Sequence, residues 1–457
     1  MKINNNLVVA LLILSGCQMY QPEEIKDEDK NIVAKKYNSE VESNKLVWWE
    51  SINNEELNNF INDGLKNNFS IKMAWNRLRQ AEAIAEKAGV KSLPTLGFAT
   101  NISRTRSFQR KGEMASPTAK RDVTTKNYSV GLVANYEIDL WGRIQSEQDA
   151  VKMDLEASQE DINSAKLTLS ANIAKVWINI ISVREQLNNL KQNLVLKNKY
   201  LNLLNLKYKS GILGATSVFK YKQIIIETEK LIEQVKLSEE LLLKQMNSLL
   251  GKNPNDGINI STSDVPKIDI DFDNISINIL TNRPDIIRQW KLIKSAQYSK
   301  AVAKADKLPR FTLSASFNNA SNQKQLVFSN WIANLAAGLT APLFDGGLRD
   351  AEIARQKAII DERLNSYKNI ILNAVKEVED SIANSKKIIK DIDFINKQKD
   401  EETKIISLTE LKYKNGSVSY LSLLEEKMQM LNYDMNLLKS NRDLLNYQVD
   451  FYKAIVK

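Results

Sequence analysis

The chain has 457 residues and a formal net charge of +9, with no histidine and a single cysteine. The lack of histidine removes the commonest general base and a common metal ligand, and one cysteine cannot form a disulfide within the chain. Lysines alternate with glutamates along helical stretches, and no basic block carries aromatic stacking residues, so the charge does not indicate nucleic-acid binding. The sequence also lacks a glycine-rich phosphate loop or a clustered Ser/Asp motif, so it predicts neither an enzyme nor a cofactor.

An export signal precedes the single cysteine, Cys17. Lys2 is followed by an apolar run, residues 7–14, that is too short to cross a bilayer and is typical of a signal peptide. The next residues, LSGC, resemble the lipobox of bacterial lipoproteins, in which the cysteine sulfur receives a diacylglycerol. The alternative is a buried cysteine that happens to follow a signal peptide, but both sequence and position match the lipobox.

We therefore predict a signal peptide at 1–16 and a lipidated N-terminal segment at 17–52, with Cys17 as the lipid attachment point. Gln18 stands where an aspartate often retains such lipoproteins at the inner membrane. This favours anchoring in outer-membrane lipid, with the chain extending into the periplasm of a Gram-negative bacterium.

Beyond this segment the chain is duplicated. Residues of the first copy recur 215 positions later as the pairs Asn67/Asn282, Ile71/Ile286, Trp75/Trp290, Ala81/Ala296, Ala88/Ala303, Leu93/Leu308 and Pro94/Pro309. At offsets of 206 and then 205 the series continues with Asp139/Asp345, Arg143/Arg349, Tyr208/Tyr413 and Gly211/Gly416. The order of these pairs predicts two repeats, at 53–250 and 274–457, joined by a linker at 251–273.

Each copy begins with a predicted helix, at about 68–92 and about 284–307, which ends at a Leu-Pro pair. Two segments with a period of two follow, which predicts strands with one apolar face and one small or polar face. The apolar positions are Leu96, Phe98 and Ile102; Tyr128, Val130, Leu132, Ala134, Tyr136 and Ile138; Phe311, Leu313, Ala315 and Phe317; and Trp331, Ala333, Leu335, Ala337, Leu339, Ala341 and Leu343. Polar connections are expected at about 107–126 and about 319–330.

After the strands, the apolar spacing changes to heptads. A helix is predicted from about 143 to 208, with a second helix after Gly211, and the second copy repeats this arrangement around Gly416. Sustained heptads indicate two long coiled-coil hairpins, and the two glycines are expected to end the longer helices.

A four-stranded sheet with one apolar face is stable in an outer membrane only if its edges are paired, because lipid satisfies no backbone hydrogen bond. Four strands cannot close a barrel, since the smallest membrane barrels use about eight. The protomer must therefore share its barrel with other copies of itself.

Together these motifs resemble the TolC-like outer-membrane efflux protein family, in its lipoprotein branch. The matching features are the lipobox at Cys17, Trp48-Trp49, NRPDI at 282–286, LP at 93–94 and 308–309, DLWGR at 139–143, FDGGLR at 344–349, LKYKSG at 206–211 and LKYKNG at 411–416. The resemblance implies a fold that is mainly α-helical with a membrane β-barrel. In it, three chains contribute four strands each to a twelve-stranded barrel, which continues into a periplasmic tunnel of coiled-coil helices.

The resemblance also implies the function and the partners. Such proteins are passive exit ducts, which complete tripartite efflux systems with an inner-membrane transporter and a periplasmic adaptor protein. Their cargo ranges over drugs, metal ions, solvents and proteins. The alternatives are a periplasmic lipoprotein adaptor and a coiled-coil scaffold of an efflux complex. An adaptor has one hairpin between β-rich halves, and a scaffold leaves the four strands unexplained.

In the family the gate lies near turns that correspond to 208–218 and 413–425 of this chain. Glu425 matches one of the acidic positions, whereas Ser422 occupies another position where some members have an acid. Glu425 and Glu426 are either part of a gate or ordinary charges beside the heptad seam. Tyr413 either forms a hydrogen bond across the gate or ends the seam by packing. Glu425, Tyr413 and Ser422 are therefore the candidate gate residues.

Overall fold

The structure is a computed structural model. It describes residues 48–108, 122–262, 266, 280, 282–323 and 328–455. The predicted signal peptide and Cys17 lie outside the described residues.

Among the described residues, the order of elements repeats within the chain, as the duplication predicts, except that the first copy begins with an additional helix. A short 3-10 helical turn, Trp48–Ile52, precedes the first copy. The first copy comprises α1 (Glu55–Asn67), α2 (Phe69–Val90), β1 (Thr95–Phe108), β2 (Asp122–Ile138), α3 (Arg143–Lys209) and α4 (Ala215–Leu249). The second copy comprises α5 (Pro284–Ala305), β3 (Arg310–Ser321), β4 (Trp331–Thr340), α6 (Leu348–Lys414) and α7 (Tyr420–Ile455). The long helices α3 and α6 have 67 residues each, about 100 Å at the standard helical rise.

The four strands form one antiparallel sheet in the order β1-β2-β3-β4. Its register places the predicted apolar residues of all four strands opposite one another, for example Phe98 opposite Leu132, Leu132 opposite Phe317, and Phe317 opposite Ala333. Because directly opposite residues share a face, the sheet has one continuous apolar face. Many of these side chains, including Phe98 and Leu335, are exposed to solvent in the single chain.

Four strand boundaries differ from the sequence-based expectation. Strand β1 extends to Phe108 and β2 begins at Asp122, so both strands enter the stretch predicted as a polar connection. Backbone pairing continues there although the apolar alternation has ended, since the ladder does not depend on side-chain polarity. Strand β3 likewise extends to Ser321, into the second predicted connection. Strand β4 ends at Thr340, so the prediction that Ala341 and Leu343 belong to it is wrong.

Helix α1 was not predicted. Asn54 caps it by accepting a hydrogen bond from the Leu57 N–H at 2.9 Å. The helix contains Gly64, where a Cβ atom would stand 2.4 Å from the Ile173 side chain. Close packing on α3 therefore offsets the low helix propensity of this glycine.

The described residues form two compact units. The first unit, residues 78–157 and 289–366, contains the sheet. The second unit, residues 48–77, 158–288 and 367–455, contains the two hairpin turns and a core of fully buried side chains that includes Ile173, Trp177 and Ile180. None of the described helices is both long enough and apolar enough to cross a membrane.

In the second unit, the described part of the predicted linker is packed against the helices. Ile260 is buried, and its carbonyl accepts a hydrogen bond from Arg184 at 2.6 Å. The side chain of Asn247 donates to the carbonyls of Pro254 and Asp256. These contacts hold residues 251–262 in place without a helix or strand.

Candidate functional site

Gly211 and Gly416 end the two long helices, as predicted. Each has φ +71°, a left-handed conformation that glycine adopts without a steric penalty. In the second turn the Gly416 N–H donates to Tyr413 O at 2.9 Å and the Ser417 N–H donates to Lys412 O at 2.8 Å. The first turn has the same pair of bonds, so both hairpins end in a Schellman motif.

An apolar cluster lies at the first turn and includes a residue of the second copy. Leu204 on α3, Val218 on α4 and Leu421 on α7 are buried against one another. Tyr200 and Tyr221 pack against this cluster, and their rings stack with centroids 4.4 Å apart. The two hairpins are therefore joined beside the turns by side chains that are far apart in sequence.

Beside this cluster, a hydrogen bond between Tyr200 and Glu425 links the first copy to the second. The Tyr200 hydroxyl donates to the Glu425 carboxylate at 2.6 Å, and the Tyr221 hydroxyl lies 3.6 Å from the Met428 sulfur. Burial raises the pKa of Tyr221 to about 12, and the Glu425 charge adds to this effect. Burial, together with the hydrogen bond to Glu425, also raises the pKa of Tyr200. Tyr200 therefore stays protonated and remains a donor to Glu425.

The other candidate residues have different surroundings. Ser422 is half-buried in the first turn of α7, where its N–H donates to Ser419 O at 3.1 Å. Tyr413 is exposed, and its ring lies 5.2 Å from that of Tyr420 on the far side of the turn. In the structure, Glu425 therefore contacts Tyr200, whereas Tyr413 contacts Tyr420.

The sequence did not indicate a further acidic residue, Glu402, which lies on α6 beside Glu426. It is almost fully buried on α6, and burial raises its pKa, as do the charge of Glu426 and a hydrogen bond with it. Among the described residues, no cluster of three or more His, Cys, Asp or Glu side chains could hold a metal ion. Because Glu402 interacts with Glu426, the two residues form an acidic pair between α6 and α7.

The arginine of the NRPDI motif, Arg283, is buried in the same unit and forms ion pairs with partly exposed acids. The Arg283 guanidinium donates to Asp285 at 2.8 Å, to Glu377 at 2.9 Å and to the carbonyl of Ala454 at 3.2 Å. These partners lie on three different helices or helix ends, so the arginine of the motif joins α5, α6 and α7.

In the sheet-containing unit, the DLWGR motif starts the first long helix. Asp139 accepts a hydrogen bond from the Gln145 N–H at 2.8 Å, and Arg143 pairs with Glu137 at 3.0 Å. The Trp141 indole donates to the carbonyl of Pro309, in the second copy, at 2.7 Å. The described contacts of the NRPDI and DLWGR motifs therefore hold helices and strands of the fold together.

Comparison with known proteins identifies the family to which this architecture belongs. The model of the family described as outer membrane efflux protein matches the chain twice, at residues 60–251 and 276–455. The chain belongs to the outer membrane efflux protein family. The predicted family and the predicted function as an outer-membrane efflux channel are thereby confirmed. The family is one of transport channels.

Individual relatives match this efflux protein over most of its length. The pyoverdine export outer membrane protein OpmQ of Pseudomonas aeruginosa is 25% identical over 410 residues, which cover 89% of this chain and 86% of OpmQ. Among solved structures, a membrane protein from Pseudomonas aeruginosa matches with a TM-score of 0.82 at 21% identity, covering 96% and 100% of the two chains. The CmeC outer membrane channel of Campylobacter jejuni matches with a TM-score of 0.81 at 23% identity, covering 96% and 93%. These structures confirm the predicted fold of the protomer.

Proposed function

We propose that this efflux protein is the outer-membrane exit duct of a tripartite system, in which it receives cargo from an inner-membrane transporter through a periplasmic adaptor. The observation that carries this proposal is the sheet, with its continuous apolar face and small or polar opposite face. Such a sheet suits a wall that has lipid on one side and water on the other. Transport through this duct would be passive, as the family resemblance implies.

Three copies would build the duct. Within the described residues, β1 pairs only with β2, and β4 pairs only with β3, which leaves the outer edges of β1 and β4 available to other chains. In lipid these edges must be paired, so β4 of one copy would join β1 of the next until twelve strands close one barrel. The number three comes from the family resemblance.

The proposed repeat bounds, 53–250 and 274–457, are supported by the similar ranges of the family match.

Each copy would be held at the outer membrane by a lipid on Cys17, after removal of residues 1–16. The support for this anchor is the LSGC motif, which follows a short apolar run at the start of the chain. A lipid chain and a shared barrel would give the protein two independent attachments to the same membrane.

Replacement of Cys17 by serine is expected to abolish fatty-acid labelling and to leave the unprocessed precursor, because only the thiol can accept the diacylglycerol. Metabolic labelling with a radioactive fatty acid, followed by precipitation of the protein, measures this. A matched control, Ser15→Ala, keeps the thiol and a small residue in the motif and should label normally. Equal labelling of the wild type and Cys17→Ser would contradict the lipid anchor.

The gate would lie around the two hairpin turns, with Glu425 in the narrowest part. The hydrogen bond from Tyr200 joins the first hairpin to the second and would hold the closed arrangement. Three copies of Glu425 around one axis would place like charges near one another, which favours binding of cations. The last turns of the long helices carry positive charges, on Lys207, Lys209, Lys412 and Lys414. The negative charge of Glu425 would partly offset them and make the local potential more favourable to cations.

The function is tested by inserting the purified protein into planar bilayers, where it should conduct ions. Glu425→Gln keeps the size of the side chain and removes its charge, so the cation-to-anion permeability ratio should fall by about twofold relative to wild type. The matched control is Tyr200→Phe, which keeps the charge and loses the hydrogen bond. It should keep the ratio and increase the fraction of open channels.

Two outcomes of this experiment would count against the proposal. A correctly folded protein that never conducts contradicts the duct itself. An unchanged permeability ratio in Glu425→Gln leaves the duct intact and shows that Glu425 is only a charge beside the heptad seam.

A further inference from the structure

The apolar face of the sheet ends near Tyr128. On β2 this face runs from Ile138, next to the start of α3, to Tyr128, ten residues away. These residues span about 33 Å of strand, which a tilt of about 40° reduces to about 25 Å, the usual height of the apolar band on an outer-membrane barrel. Tyr128 and Trp331 lie at nearly the same level and match the aromatic girdle that borders such a band. The strands would therefore leave the lipid interior close to Tyr128.

Beyond this level the β1–β2 hairpin continues without β3 and β4 among the described residues. Strand β3 ends at Ser321, which pairs with Tyr128. Strands β1 and β2 stay paired with each other for six further positions, the last of which joins Phe108 to Asp122. This projecting part of the hairpin lies at the end of the sheet away from α2 and α3. In the proposed duct it would therefore lie on the exterior side of the apolar band.

The projecting hairpin carries basic side chains on the lipid-facing side of the sheet. Arg104 and Arg106 continue the alternation of the apolar residues that ends at Ile102, and Lys126 stands directly opposite Arg104. All three basic side chains are exposed. Since residues two apart on a strand share a face, these side chains lie on the apolar side of the sheet. The described side chains of the other face are uncharged, namely those of Ser103, Thr105, Ser107, Thr125 and Asn127.

The three basic side chains repel one another. Directly opposite residues on antiparallel strands have Cβ atoms about 5 Å apart, and like charges in such a pair destabilise the sheet. Arg104 and Lys126 form such a pair, and Arg106 is the diagonal neighbour of Lys126. Among the described residues, no carboxylate forms an ion pair with Arg104 or Lys126. A bound anion would relieve the repulsion, and a phosphate group suits the site because its oxygens match the planar fork of an arginine.

The same end of the second hairpin has no basic residue at the outward positions that the structure describes. These positions hold Phe317, Asn319 and Ser321 on β3 and Trp331 on β4. Both hairpins would cross the same membrane, so basic residues are not a general requirement of this end of the sheet. They are specific to the first hairpin, which is also the hairpin that projects.

We propose that Arg104, Arg106 and Lys126 form a basic site for the phosphate groups of a phosphorylated glycolipid in the outer leaflet of the outer membrane. The site lies just beyond the apolar band, at the level of the lipid head groups, and basic clusters there attract anionic lipids. The apolar residues directly below it, Ile102 and Tyr128, would contact the acyl chains of the same lipid. The site therefore favours a lipid phosphate over free phosphate. This inference rests on the proposed outer-membrane position of the sheet and adds a lipid ligand to it.

The test is binding of lipid A to the full-length protein, purified in detergent and freed of bound lipid. Native mass spectrometry at increasing lipid concentration measures the dissociation constant for lipid A that carries two phosphates. The variant that combines Arg104→Gln, Arg106→Gln and Lys126→Gln should bind at least about tenfold more weakly, because three attractive charges are lost. Lipid A without phosphates should bind the wild type equally weakly. If its removal of phosphates leaves the affinity unchanged, the basic site is overturned.

A matched control keeps the charges and moves them to the other face of the hairpin. It exchanges each arginine with a neighbouring serine, by the substitutions Ser103→Arg, Arg104→Ser, Arg106→Ser and Ser107→Arg. Composition and net charge stay the same, but a shift of one residue turns each arginine toward the interior of the duct. This variant should bind at least about threefold more weakly than wild type. Equal binding would overturn the basic site, because net charge alone would then explain the attraction.

Folding and conduction are measured on the same samples. The single variant Lys126→Gln removes the opposed charges, so it should be at least as stable as wild type and bind lipid A about threefold more weakly. It tests the site even if the triple variant does not fold. If the wild type binds lipid A no better than the folded variants, the basic site is overturned, and conduction in planar bilayers shows that the duct survives. A wild type that binds lipid A through these residues but never conducts keeps the site and contradicts the duct.

Discussion

Replacement of Glu56 by alanine is expected to lower the free energy of unfolding of the helical unit by about 3 kcal/mol. Glu56 lies in the first turn of α1, and its carboxylate accepts hydrogen bonds from the N–H and hydroxyl groups of both Ser261 and Thr262 at 2.6 to 3.2 Å. The indole of Trp177 on α3 donates a fifth hydrogen bond at 3.3 Å. Alanine would leave all of these donors without their acceptor.

The electrostatics of this residue give the prediction a pH dependence. Burial raises the pKa of Glu56, but the hydrogen bonds from Thr262, Ser261 and Trp177 outweigh it and lower the pKa from 4.5 to about 2. Because the pKa is lower in the folded protein, the carboxylate stabilises the fold fully above about pH 4.5. This stabilisation is lost as the pH falls toward 2. The difference between wild type and Glu56→Ala should therefore be largest near neutral pH and shrink in acid.

Thermal unfolding followed by circular dichroism at pH 7 and pH 3 measures this difference. The matched control is Glu55→Ala, because Glu55 is the exposed neighbour in the same helical turn. This control should unfold within about 0.5 kcal/mol of wild type. Glu56→Gln retains one acceptor oxygen but no charge, so it should be intermediate at pH 7. Equal stability of Glu56→Ala and Glu55→Ala at pH 7 would show that the network contributes nothing.

The sequence alone was sufficient to predict the duplicated order of elements. The heptads of α3 and α6 and the alternation in the strands are local patterns, and the glycines at 211 and 416 are local signals as well. The sheet register also agrees with the alternation, because a slip of one residue would move every apolar side chain to the polar face. Each of these features depends on residues that are close together in the chain.

The missed features depend on contacts between distant residues. Tyr200 is 225 positions from Glu425, and Glu56 is 205 positions from Ser261. No local pattern marks either pair, since a tyrosine beside a heptad seam and a glutamate in a first helical turn are both common. Helix α1 was missed because its Asn residues and Gly64 have low helix propensity and its stability comes from packing.

Three copies of the chain are expected to assemble into a stable trimer, with three times the mass of one mature chain. In the single chain, β1 and β4 each have one strand neighbour within the described residues. Unpaired backbone groups cost several kcal/mol each in lipid, so an isolated four-stranded sheet is unstable there. The outer edges of β1 and β4 therefore require strands from other copies of the chain. A ring that pairs both edges of every sheet should persist when the sample is diluted.

Native mass spectrometry of the wild-type protein, extracted from the outer membrane in mild detergent, tests this account most directly. The account predicts one species at three times the mass of the mature chain, present before and after tenfold dilution. A folded species with the mass of one chain, which retains its helix content after dilution, would contradict the shared barrel and with it the proposed duct.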